Sequence, residues 1–131
     1  MPLKQHLARY RVADITLDTY PYGSHGTASD ALWAGCPLIT LVGDTFPSRV
    51  AGSVLRAAGL SDLITRSKEE YEELAVSLAL NPEKLKELRL YMSDTRATCA
   101  LFDTPAFTKG LEETFHKMIE EATEKTLSTK L

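Results

Sequence analysis

Residues 13–35 read ADITLDTYPYGSHGTASDALWAG. Ile15 and Leu17 lie in a short β-compatible run, so Ala13 to Thr19 reads as a strand. The run breaks at Gly23, Ser24, His25 and Gly26, and a helix resumes over Ala28 to Ala34. Gly35 stands where a helix C-terminal glycine belongs. Next, Pro37 to Val42 (PLITLV) is continuously apolar, the pattern of a strand buried on both faces. Ser48 to Ala58 follows as a helix with Val50, Val54, Leu55 and Ala58 on one stripe, stopped by Gly59. Strand, helix, strand, helix at this spacing implies βαβα, and so adjacent parallel strands with a right-handed crossover.

Outward from that unit the pattern is helical. Pro2 to Val12 has the composition of a short helix. Ser67-Lys68-Glu69-Glu70 fits a capping box, starting a helix that runs to about Leu80. Asn81-Pro82 opens another, with Leu85, Leu88, Tyr91 and Met92 as its buried face. Thr104-Pro105 repeats that signature and opens a last helix, expected to turn Phe107, Leu111, Phe115, Met118 and Ile119 inward. The tail EKTLSTKL is expected to fray. Residues 1–66 therefore read as a parallel α/β part, and 67–131 as C-terminal helices packing on it within one structural domain. Two parallel strands do not make a stable sheet alone. The chain accordingly reads as the last part of a larger α/β domain, with an exposed sheet edge.

The chain's 131 residues suit a single domain, and its 44% apolar and 25% charged residues suit a globular protein with a core. A net charge of -3 leaves no basic footprint, which argues against nucleic acid as a partner. No apolar run is long enough to cross a bilayer, and MPLKQHLARY does not read as a signal peptide, so a cytoplasmic protein is expected. Cys36 and Cys99 have no metal-ligand spacing and read as reduced thiols, Cys36 being buried and inert. No carboxylate cluster calls for a metal.

Ligands of open parallel sheets bind beyond the carboxyl ends of the strands, where the turns YPYGSHGT and GDTFPS lie. Gly23 and Gly26 permit close backbone approach or positive φ. Thr27, Ala28 and Ser29 offer amide hydrogens at a helix N-terminus, which favours an anion. His25 is able to donate to a phosphate oxygen, and Asp30 to accept from a sugar diol. Such a set suits a nucleoside diphosphate. The plainer alternative makes Ser24 or Thr27 an N-cap, gives the glycines to the turn and sets Asp30 against the helix dipole. Pattern alone favours it, since neither a Walker loop nor a GxGxxG fingerprint is present.

The stretch from His6 to Leu55, HLARYRVADITLDTYPYGSHGTASDALWAGCPLITLVGDTFPSRVAGSVL, resembles the C-terminal catalytic half of the O-linked N-acetylglucosamine transferase (SPINDLY-like) family. The phrase DTYPY followed by H-x-T-A-S-D-A-L-W-A-G carries the resemblance, which extends to about Leu80 and more loosely beyond. It implies an α/β fold, the C-terminal part of a Rossmann-like half of a glycosyltransferase-B fold, in enzymes that also carry tetratricopeptide repeats and a facing N-terminal half. It places His25 and Thr27 at the UDP pyrophosphate, Asp30 at the ribose, His6 against the uracil and Arg9 near that base. Two positions depart from the family. Gly26 stands where a first threonine is usual, removing a hydroxyl donor, and Gly23 stands where asparagine is common. Some members also have a lysine where this chain has Leu3.

The resemblance implies inverting transfer of N-acetylglucosamine from UDP-GlcNAc to serine or threonine of a protein acceptor, with no cofactor beyond the donor and no metal. The catalytic residue is left unassigned, and the isolated chain is expected to be inactive. Two alternatives stay open: a non-catalytic interaction or dimerisation module with a vestigial nucleotide site, favoured by Gly26, and a related transferase using another UDP-hexose. Without the resemblance, His6 reads as an exposed helix histidine and Arg9 as a surface cation. Trp33 is expected to pack under the sheet, Arg49 to be structural, and His116 to be solvated.

Overall fold

The computed structural model describes residues 2–128. Helix α1 (Leu3–Ala8) runs into a 3-10 turn (Arg9–Val12) and then strand β1 (Thr16–Leu17). There follow α2 (Gly26–Trp33), β2 (Leu38–Leu41), α3 (Val50–Ala57), a 3-10 turn (Ser61–Leu63) and β3 (Ile64–Thr65). Three helices complete the order, α4 (Lys68–Ala79), α5 (Pro82–Thr95) and α6 (Thr104–Ser128). The sheet has the order β1-β2-β3, with Thr16 opposite Leu38 and Thr40 opposite Ile64, both pairs parallel. All four residues of the central strand β2 are buried, as a continuous apolar run requires. The strand β3 was not expected, because Ile64-Thr65 is too short to show alternation between the 3-10 turn and the Ser67 cap.

Local chemistry sets the helix ends. Gly35 and Gly59 take positive φ of 82° and 75° after α2 and α3. In both cases the next amide reaches back to close the helix: Cys36 N–H donates to the Ala31 carbonyl, and Leu60 N–H to that of Leu55. Ser67 Oγ accepts from the Glu70 amide, while the Glu70 carboxylate accepts from Arg66 N–H rather than from Ser67 itself. Asn81 caps α5 through the Lys84 amide. At α6 the cap is Asp103, which accepts from the Ala106 amide, so Thr104 is the first helical residue.

The core gathers Leu38 and Ile39 from β2, Ala28, Ala31 and Leu32 from α2, and Ala51 and Leu55 from α3. Leu78, Leu85 and Met92 bring α4 and α5 onto it. Cys36 is fully buried, accepts from Thr16 Oγ and, like Cys99, is a free thiol. Tyr91 is only partly covered, and its hydroxyl donates to the Ala58 carbonyl at 3.3 Å.

Two packing expectations are corrected. Trp33 does not lie under the sheet: it ends α2, stays 42% exposed and packs edge-on to Phe102, with the Arg96 guanidinium over its ring. Nor does α6 turn its apolar face inward, since Phe107, Phe115, Met118 and Ile119 are more than half exposed. The helices α2 to α5 already close the core. At 25 residues, α6 is about 37 Å long and runs past that small body. It is helical through Ser128, and the rest of the tail, 129–131, lies outside the described residues. His116 is exposed. Among the described residues, no helix is long and apolar enough to cross a membrane.

Candidate functional site

Strand β1 is followed by Asp18, a carboxylate only 7% exposed. One oxygen accepts from the amides of Thr19 (2.9 Å) and Ser24 (2.7 Å), and the other from the Thr40 hydroxyl at 2.6 Å. A buried carboxylate must be met by donors, and here these donors bend residues 19–24 into a closed turn over the ends of β1 and β2. Gly23 follows from that closure, because a Cβ there would meet Asp18 Oδ2 at 3.0 Å and the Pro47 carbonyl at 3.1 Å. It serves the turn by close approach, not by positive φ. The Tyr71 hydroxyl donates to the Asp18 carbonyl from α4, and burial, then the Asp18 charge, raise its pKa.

The turn delivers the chain to α2 without a cap. Neither Ser24 nor Thr27 caps the helix; His25 holds the N-cap position and makes no capping hydrogen bond. The first amides to find partners are those of Ala28 and Ser29, both on the His25 carbonyl, so the amides of Gly26 and Thr27 remain free. Free amides and the helix dipole together favour an anion at this point.

His25 lies between two aromatic rings. Tyr22 stacks on its imidazole with centroids 5.3 Å apart, and Phe46 meets it edge-on at 6.1 Å. Its Nε2 atom is buried and has no hydrogen-bond partner. A buried polar nitrogen without a partner is costly, and this one belongs to the residue that directly precedes the free amides of Gly26 and Thr27.

His6 and Asp30 are brought together, their side chains 2.9 Å apart from Nε2 to Oδ2. An ionised carboxylate only accepts, so Nε2 carries the proton. Asp30 thus faces α1, and its Oδ1 atom is left for another donor. The 3-10 turn adds Tyr10, whose hydroxyl lies 3.5 Å from the Thr27 carbonyl, and Arg9, whose guanidinium stacks on the Tyr10 ring at 5.5 Å. Arg9 joins the group only through that ring. Gly26 and Thr27 are exposed, and a Cβ at Gly26 would meet nothing within 4 Å. Among the described residues, no three His, Cys, Asp or Glu side chains gather as a metal site.

This strand end therefore carries two free amides, a hydroxyl, a half-engaged carboxylate and a buried, unpartnered imidazole nitrogen. Free amides at a helix start suit an anion, and a carboxylate oxygen is able to accept from a hydroxyl. Sequence reasoning missed Asp18, Tyr22 and Phe46. The one available signal was a charged residue ending an apolar run, at Asp18.

Comparison with known proteins converges on one group. The family model described as glycosyl transferase family 41 matches residues 1–111. The chain is similar to a probable UDP-N-acetylglucosamine–peptide N-acetylglucosaminyltransferase SEC of Arabidopsis thaliana, 48% identical over 115 residues, or 87% of this chain and 12% of that protein. It is also similar to a SPINDLY protein of Petunia hybrida bearing the same probable activity, 36% identical over 86% of this chain and 12% of the relative. A solved mutant O-GlcNAc transferase of Thermobaculum terrenum superposes with a TM-score of 0.89 at 35% identity, covering 96% of this chain and 24% of that one. The chain thus spans about an eighth of the length of these curated relatives.

Proposed function

The chain belongs to glycosyl transferase family 41 and has the α/β architecture of part of a glycosyltransferase-B fold, and we propose that it is the UDP-binding portion of a protein O-N-acetylglucosaminyltransferase-like enzyme. That enzyme transfers N-acetylglucosamine from UDP-GlcNAc to serine or threonine of an acceptor protein. The chief support is His25 Nε2, buried and unpartnered at an uncapped helix N-terminus.

In this proposal the UDP pyrophosphate lies on the amides of Gly26 and Thr27, with His25 Nε2 and the Thr27 hydroxyl as further donors. As the sugar departs, negative charge grows on UDP, and donors fixed beforehand stabilise it. Asp30 takes the ribose through Oδ1, because Oδ2 is held by His6. His6 and Arg9 form the wall for the base. No metal is assigned a role. The 1–66 part carries these groups, the 67–131 helices support it, and the protein works in the cytoplasm. The facing catalytic half and the tetratricopeptide repeats belong to the rest of the enzyme, and this chain alone has no turnover.

Amide spectra of the chain titrated with UDP test the proposal. Saturable shifts at Gly26 and Thr27 are expected, and shifts elsewhere with these two unmoved would contradict it.

A second function fits two observations: a non-catalytic interaction module with a vestigial site. Gly26 lacks a hydroxyl, and α6 exposes an apolar face. Absence of UDP binding to the whole enzyme favours this module. A transferase using another UDP-hexose shares every contact named above and differs only at the sugar.

A further inference from the structure

Beyond the carboxyl ends of β2 and β3 lies a cavity of about 430 Å³, lined by Val42, Gly43, Phe46, Val50, Ser53 and the arginines 49, 56 and 66. Each arginine comes from a different place. Arg49 precedes α3, Arg56 lies two turns further along it, and Arg66 follows β3. The ion pairs among the described residues are His6–Asp30, Lys84–Glu87, Arg89–Asp14 and Lys109–Glu113. The three guanidinia around this cavity thus have no carboxylate partner, in a chain whose net charge is -3. The nearby Glu70 carboxylate is taken by the backbone amide of Arg66.

A second feature of the same cavity is independent of the side chains. Helix α3 has no side-chain cap, and its first bond from outside the helix runs from Ser53 N–H to the Arg49 carbonyl. The amides of Val50, Ala51 and Gly52 are therefore free, and Val50 lines the cavity. Gly52 lets this helix end sit against the strand, since a Cβ there would come within 2.7 Å of Val42 Cγ1. That Cβ position is also 3.9 Å from Arg56 Nη1, so the Arg56 guanidinium folds back toward the helix start.

We propose that this pocket is a second anion site, distinct from the nucleotide site, that takes a phosphate monoester. Three guanidinia match the three peripheral oxygens of a phosphoryl group, whereas a carboxylate offers two oxygens to one planar fork. The cavity is also larger than a bare phosphate needs, and Val42, Phe46 and Val50 give the attached carbon group an apolar wall. Phe46 belongs to both sites, because its ring also meets His25 at 6.1 Å. The monoester is supplied either by a phosphorylated protein side chain or by a free phosphorylated sugar.

The test is an amide and arginine side-chain titration of the isotopically labelled 131-residue chain. The probes are inorganic phosphate, a short phosphoserine peptide, a hexose phosphate, acetate and UDP. Phosphate is expected to give saturable shifts at Val50 to Gly52. Arg56→Gln and Arg66→Gln should each weaken it by about fivefold or more, and acetate at equal ionic strength should give none. Both side chains are exposed, and unchanged amide positions in the sheet report that the variants are folded. UDP should move Gly26 and Thr27 equally in wild type and in both variants, so the two sites fail or succeed separately. Tighter binding of the peptide than of the hexose phosphate assigns the protein source, and the reverse order the free sugar. Non-saturating shifts, equal binding by the double variant, an equal response to acetate, or no gain of either monoester over inorganic phosphate would overturn the assignment.

Discussion

His6 Nε2 donates to Asp30 Oδ2 across 2.9 Å, tying α1 to the helix that carries the free amides. If Asp30 serves the ribose from that fixed position, Asp30→Ala weakens UDP by about 1–3 kcal/mol and inorganic pyrophosphate hardly at all. His6→Ala should do the same to a smaller degree, by releasing the carboxylate. Parallel titrations with the two ligands check this, and equal losses for both would contradict the ribose assignment.

Asp18 is the structural centre of the turn. Removing its carboxylate strands the part-buried amides of Thr19 and Ser24 and the buried Thr40 hydroxyl. Asp18→Ala should cost about 3 kcal/mol or more, read as a lower urea midpoint. A midpoint unchanged from wild type would show that the turn closes without it.

Gly26 has open space around its missing Cβ and no positive φ. Gly26→Thr should therefore leave stability within about 0.5 kcal/mol. In a working pyrophosphate site the new hydroxyl should tighten UDP by about 1 kcal/mol. No gain in affinity favours the vestigial module.

Tyr71 gives a pH dependence. Burial, then the Asp18 charge, raise its pKa in the folded chain above the ordinary value of about 10. The neutral phenol is thus favoured by folding. Its contribution is whole below about pH 10 and is lost as pH rises through the higher folded value. Tyr71→Phe also loses the hydrogen bond to the Asp18 carbonyl, so it should be less stable at neutral pH. The gap should narrow in alkali, and urea midpoints on both sides of that pH check it.

The parallel βαβα unit was legible because its signals are local: a continuous apolar run for β2, and glycines placed to close α2 and α3 at Gly35 and Gly59. What stayed hidden depended on distant partners. Asp18 acquires meaning only from Ser24 and from Thr40, 22 residues away. Ser24 and Thr27 look like caps by composition, yet the Asp18-held turn starts the helix so that His25 takes that position. The α6 stripe shows that a face is apolar and says nothing of where the helix will point. At the site, residue types pointed to an anion, but the contact between His6 and Asp30 needed the fold to bring α1 and α2 together.

The most direct measurement is calorimetric titration of UDP into the enzyme bearing this segment, comparing wild type with His25→Ala, Thr27→Ala and His116→Ala. His25 Nε2 is buried without a partner on the residue that precedes the free amides, and His116 is exposed on α6. The account predicts losses of about 1–3 kcal/mol for the first two and none for His116→Ala. Equal affinity for wild type, His25→Ala and Thr27→Ala would contradict it and return the turn to an uncapped helix start with no ligand.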